Sequence, residues 1–123
     1  MSLESLLTLV VGILQDREIP YMLTGSLASS YHGAPRSTND IDLVVDGSRE
    51  AFESLAVPLR DAGLHVSEQA IGEAVSTRGM FNAIDPETGW KVDFIIRKDR
   101  PFSVHEFANR QATHYLGLAL RVA

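Results

Sequence analysis

Apolar and polar positions along this chain repeat with two periods. Near the start, Leu3, Leu6, Leu7, Val10, Ile13 and Leu14 recur at the three- and four-residue spacing of one helix face. Leu9 and Val11 widen the stripe, Ser2 stands where an N-cap belongs, and Pro20 forbids continuation beyond Gln15-Asp16-Arg17-Glu18. Tyr21 to Thr24 is short and apolar, a buried strand, and Gly25-Ser26 turns out of it. Residues 27–33 predict a short helix that Gly33 and Pro35 stop, and 36–39 are polar loop. Asp40 to Asp46 is the clearest strand. Ile41, Leu43 and Val45 share one face, and Asp40, Asp42 and Val44 the other.

Beyond Ser48, a second N-cap, the helical period returns in Phe52, Leu55, Ala56, Leu59 and Ala62, with Pro58 inside the pattern as a kink and Gly63 as its C′ residue. A brief strand near 64–66 and a short helix after it are expected. Met80 to Ile84 and Trp90 to Arg97 predict two strands joined by the hairpin loop Asp85-Pro86-Glu87-Thr88-Gly89. In the second of these, Val92, Phe94 and Ile96 face one way and Asp93, Ile95 and Arg97 the other. Phe102 to Asn109 predicts a helix capped by Ser103. Residues 113–116 and 118–122 predict a last hairpin about Gly117.

This order predicts one α/β (α+β) domain spanning 1–123, with a small mixed β-sheet and helices packed on one face. Ile41, Leu43, Val45, Val92, Phe94 and Ile96 supply the helix-facing side, so the opposite side carries Asp40, Asp42 and Asp93. A length of 123 residues, 45% of them apolar and 22% charged, suits one core. There is no cysteine, which excludes disulfides and thiolate metal sites, and the four histidines lack zinc-ligand spacing. No stretch approaches the about 20 apolar residues of a membrane span, nor does the N-terminus read as a signal peptide, so a cytoplasmic protein is expected. The net charge of −5 argues against a broad nucleic-acid surface. It is unevenly spread: residues 1–90 carry 5 basic and 13 acidic side chains, residues 91–123 carry 6 and 3. That basic end is either a solvated face or a partner for the carboxylates or a polyanion.

Three aspartates on one sheet face repel one another unless protonated or bridged by a cation. Mg²⁺ takes hard oxygen ligands and keeps waters and substrate phosphates in its shell, so such a group suits a Mg²⁺–nucleotide site. Two ions about 3.5–4 Å apart could stabilise the attacking and leaving oxygens of a phosphoryl displacement. The plainer reading is a solvated strand face. Gly25 allows close backbone approach, and Ser26 with the N–H groups that follow could hold phosphate oxygens; a simple strand-to-helix turn is the alternative. Arg36 could pair with triphosphate oxygens or with Asp40 or Asp46. His32 reads as a local hydrogen-bonding residue, Tyr31 and Trp90 as core or base-stacking rings, and Lys91, Arg97 and Lys98 as exposed. No G-x-x-x-x-G-K-[ST], G-x-G-x-x-G or G-x-S-x-G is present.

Gly25-Ser26, Asp40-Ile41-Asp42 and Val92-Asp93-Phe94 together resemble the DNA polymerase β-like nucleotidyltransferase superfamily. The string Gly-Ser-Leu-Ala, then His-Gly-Ala-Pro-Arg-Ser-Thr-Asn-Asp-Ile-Asp-Leu, with the later Lys-Val-Asp-Phe-Ile, is similar to the group of abortive-infection nucleotidyltransferase toxins. The likeness spans roughly residues 5–122, and the three-part motif is specific where any one part is not. It implies a nucleotidyltransferase fold in which Gly25 and Ser26 hold nucleotide phosphates, Asp40 and Asp42 bind Mg²⁺ or Mn²⁺, and Asp93 completes the metal site and helps deprotonate an acceptor hydroxyl. The implied reaction moves a nucleoside monophosphate from a nucleoside triphosphate to a protein, RNA or small-molecule hydroxyl, releasing pyrophosphate. Thr24 departs from the pattern, standing in a slot that is usually apolar. Relatives usually continue into a C-terminal helical part that shapes the acceptor site, so a second expectation stands beside the first: a non-catalytic nucleotide-binding or antitoxin-like module working with a toxin or antitoxin partner.

Overall fold

The computed structural model describes residues 2–24, 40–115 and 118–122. Helix α1 runs over Leu3–Asp16, with the Ser2 hydroxyl accepting from the Ser5 amide at 3.0 Å. It buries Leu6, Leu7, Val10, Val11, Ile13 and Leu14, the stripe its spacing predicts. It closes with Glu18 in the left-handed region, φ 55°, while the Ile19 amide reaches back to the Leu14 carbonyl. Strand β1, Tyr21–Thr24, follows. The expected helix over 27–33 lies outside the described residues. Strand β2 is Asp40–Val45, with Ile41, Leu43 and Val45 buried.

The helix expected across 48–62 is two helices, α2 (Arg49–Glu53) and α3 (Ala56–Asp61). Ser48 caps the first. Between them the Leu55 amide turns tightly onto the Phe52 carbonyl, and Pro58 falls in the first turn of α3, where its missing N–H leaves no gap. The pattern therefore breaks before the proline rather than kinking at it. Gly63, φ 90°, ends α3 as expected, with the Leu64 amide bonded to the Leu59 carbonyl. Strand β3 is His65–Val66 and helix α4 is Glu68–Thr77, capped by Ser67. Strands β4 (Met80–Ile84) and β5 (Lys91–Ile96) form the expected hairpin. In its loop the Asp85 carboxylate accepts from the Glu87 amide and the Thr88 hydroxyl, and Gly89 takes φ 77°. Helix α5, Pro101–Ala108, starts one residue earlier than expected. Pro101 takes the first position, Arg100 is the N-cap without a side-chain bond, and Ser103 lies inside rather than capping. Strands β6 (Gln111–Tyr115) and β7 (Leu118–Val122) pair antiparallel about 116–117.

Among the described residues, seven strands form one mixed sheet in the order β3-β4-β5-β2-β1-β7-β6. Its centre is parallel, β2 beside β5, and both are flanked by antiparallel partners. One face carries the core. Residues of α1, α2, α3 and α4 join Leu23, Ile41, Leu43, Val45, Phe81, Ala83, Val92, Phe94 and Ile96 in a single cluster. Phe94 stacks on Phe81 at 4.9 Å, and Phe52 meets Phe81 edge-on at 6.4 Å. Among the described residues no helix is long and apolar enough to cross a membrane.

Candidate active site

The other face holds the chemistry, and strand register decides what meets what. Residues directly opposite on neighbouring strands project to the same side of a sheet. Asp42 on β2 lies opposite Asp93 on β5 and Thr24 on β1, and Asp93 lies opposite Asn82 on β4. The four strands thus present one polar row: Thr24, Asp42, Asp93, Asn82. One step toward the edge, Asp40 lies opposite Lys91, with its Oδ2 3.9 Å from the Lys91 ammonium. One step the other way comes the apolar row Met22, Val44, Ile95 and Met80.

This row brings two carboxyls together in a partly dry place. Asp93 is 9% exposed, and its Oδ1 is buried with no hydrogen-bond partner among the described residues. Asp42 is pushed up from 3.8 to about 6, first by burial, then by its hydrogen bond with Asp93 and the charges of Asp93 and Asp40; Lys91 offsets part of this. Among the described residues no three acidic or histidine side chains gather closely enough to form a ready metal cage. The site is a pair, Asp42 and Asp93, with Asp40 one row along beside Lys91. That donor set fits a hard divalent cation, because Mg²⁺ is commonly held by one or two carboxylates with the rest of its shell from phosphates and water. The orphaned Asp93 oxygen is an acceptor waiting for a cation or a donor.

Gly25, Ser26 and Arg36, with Tyr31, His32 and Thr38, lie outside the described residues. Trp90 packs partly buried against the core. Arg97 and Lys98 are not the exposed cations expected. The Arg97 side chain is only 16% exposed and reaches Asp46 at 3.4 Å and Asp99 at 3.5 Å. The Lys98 ammonium donates to the Arg78 carbonyl, and the Arg78 guanidinium donates to the Arg97 carbonyl. These side chains clamp the end of β5 to the end of α4. Asn82 and Thr24 complete the row, and neither belongs to the motif's candidate site residues. The signal for Asn82 was present: a hairpin closing Ile84 on Lys91 counts back to Asn82 opposite Asp93.

No family model matches the chain, and no curated protein matches it in sequence. Among solved structures it is similar to the crystal structure of a "putative nucleotidyltransferase" (TM1012) from Thermotoga maritima. That likeness covers 99% of this chain and 79% of the other, with a TM-score of 0.57 and 19% identity. The fold is a nucleotidyltransferase fold.

Proposed function

We propose that the chain is a metal-dependent nucleotidyltransferase, which moves a nucleoside monophosphate from a nucleoside triphosphate to an acceptor hydroxyl. The observation that carries this reading is the Asp42–Asp93 pair on adjacent parallel strands, with a buried Asp93 oxygen that has no partner among the described residues. Asp42 and Asp93 hold the cation, and Asp40 adds negative charge beside them. A bound Mg²⁺ or Mn²⁺ supplies charge neutralisation for the phosphates and the developing pyrophosphate. Asp93 also takes the acceptor proton. Gly25 and Ser26 receive the phosphates, and Arg36 pairs with their oxygens. The likeness of fold to the Thermotoga maritima protein supports the assignment.

Calorimetry of nucleoside triphosphates with Mg²⁺ tests it. Binding that needs the metal and is lost in Asp42→Asn and Asp93→Asn is expected; no binding with either Mg²⁺ or Mn²⁺ would overturn it. The second reading is a non-catalytic nucleotide-binding or antitoxin-like module. Transfer of an α-phosphate label that disappears in Asp93→Asn excludes that reading. Metal-dependent binding without transfer to any acceptor favours it.

A further inference from the structure

We infer that the open groove beside Asn82 is the acceptor subsite of this same site, and that it takes a small molecule presenting a hydroxyl from an apolar body. The inference rests on the nucleotidyl-transfer reading above. The groove, of about 480 Å³, is lined by Asn82, Ile84, His65, Ser67, Val66 and Arg60. It lies at the β3–β4 edge of the sheet. Asn82 stands directly opposite Asp93, and Ile84 stands opposite both Lys91 and His65, so these side chains share the face of the carboxylate row. The groove therefore begins where the row ends.

In-line displacement decides which end of the row the acceptor uses. The attacking and leaving oxygens stand on opposite sides of phosphorus. Gly25 and Ser26 follow Thr24 directly in the chain, so the triphosphate tail and the leaving pyrophosphate belong to the β1 end. The attacking hydroxyl must come from the other end, past Asp93, where Asn82 and the groove lie. Its oxygen forms the new bond to the α-phosphorus. The bond from that phosphorus to the oxygen bridging to the β-phosphate breaks, and pyrophosphate leaves with the electron pair. The hydroxyl proton passes to Asp93. Asn82, with both a donor and an acceptor on its amide, is placed to orient the incoming hydroxyl.

The size and lining select the class of acceptor. The volume is that of a small-molecule pocket. Ile84, 37% exposed, offers apolar surface, and Asn82, Ser67 and His65 a polar margin, while Val66, opposite Ala83, turns to the core side at the groove's edge. Arg60 is already engaged, with Glu68 at 3.1 Å and the Val66 carbonyl at 3.1 Å, so it does not offer a free cation to a polyanion. With a chain charge of −5, that disfavours RNA. β3 is two residues long before Ser67 begins α4, which leaves too little free edge for a peptide to add as a strand.

Two measurements test this on the full chain. In the first, amide NMR shifts are followed as benzyl alcohol is added at millimolar concentration. Shifts confined to residues 64–67 and 82–84 are expected; shifts elsewhere, or none, overturn the subsite. In the second, α-phosphate-labelled nucleoside triphosphate and Mg²⁺ are incubated with benzyl alcohol, with a serine- and tyrosine-bearing peptide, or with a short RNA. Label on the alcohol is expected, reduced about a hundredfold by Ile84→Arg or His65→Trp, which obstruct the groove, while triphosphate affinity stays unchanged. Both positions are partly or wholly open to solvent, and unchanged melting of either variant excludes misfolding. Transfer that ignores both variants, or that goes only to the peptide or the RNA, overturns the inference. Failure of the unaltered protein to bind triphosphate instead overturns the transferase reading beneath it.

Discussion

Replacing Asp42 by Asn should make the metal-free protein more stable at neutral pH while removing its response to metal. In the folded chain Asp42 titrates near 6, and in the unfolded chain near 3.8. The folded state therefore keeps a proton that the unfolded state has already released. A raised carboxyl contributes stability that is fully present below about pH 3.8, falls as pH rises through the interval to about 6, and is gone above it. A shift of about two units would amount to about 3 kcal/mol in a site closed to water. Asp42 is only partly buried, and solvent screening brings the expected difference to about 1 kcal/mol. For a domain of this size that is about 3–5 °C in melting temperature.

The assay is thermal unfolding by circular dichroism in chelator, at pH 4.5 and at pH 8, for both proteins. The unaltered protein should lose stability between the two pH values. Asp42→Asn should lose less, because its amide carries no charge yet can still donate to Asp93. At pH 8 the variant should melt a few degrees higher. Adding Mg²⁺ with a nucleoside triphosphate then reverses the order: binding at about a hundred times the dissociation constant stabilises the unaltered protein by about 2.7 kcal/mol and leaves the variant unmoved. If Asp42→Asn melts lower at pH 8 without metal, the carboxyls are not in repulsive contact and the account of the site is wrong.

Glu18 and Gly63 make an opposed pair of backbone tests, since both sit at positive φ just past a helix end. Glu18→Gly should raise stability by about 1 kcal/mol, and Gly63→Ala should lower it by about the same, both read from urea unfolding. Phe94→Ala, which removes a fully buried ring stacked on Phe81, should cost about 3–5 kcal/mol and expose the core to a hydrophobic dye at pH 7. Arg97→Ala should remove the ion pair to Asp46, leave Asp99 to Arg78 and destabilise by about 1 kcal/mol, with triphosphate binding retained; lost binding with unchanged melting would instead place Arg97 in the site.

The elements were legible where one physical signal ruled. The stripe of α1, the alternation of β2 and the Pro-Gly loop before β5 each left one solution, and their boundaries agree within about a residue with those expected. Where two signals met, the sequence understated the answer. At 48–62 the helical period ran through Pro58 and read as one kinked helix, and the tight turn at Phe52–Leu55 breaks it in two instead. At 100–103, Ser103 competed with Pro101, and the fixed φ of proline took the first position. Arg97 and Lys98 read as surface because nothing local shows that the end of α4 lies beside them.

The site was legible to a different degree, because it depends on register rather than on residue type. That Asp40, Asp42 and Asp93 share a face follows from alternation alone. Which of them touch does not. The parallel pairing of β2 with β5 places Asp42 against Asp93 and Asp40 against Lys91, and a shift of two residues would have set Asp40 against Asp93 and kept every apolar side chain on the core face. The hydrophobic pattern therefore selects the face but not the partner. The β4–β5 hairpin closed by Asp85 fixes a second register, that of β4 on β5. The Asp85 carboxylate, 5% exposed, holds the loop that sets Ile84 opposite Lys91. That same register places Asn82 beside Asp93. Asp85, some distance along the chain from any motif, is thus a positioning residue for one end of the carboxylate row, and a loop that closed one residue later would turn Asn82 away from it.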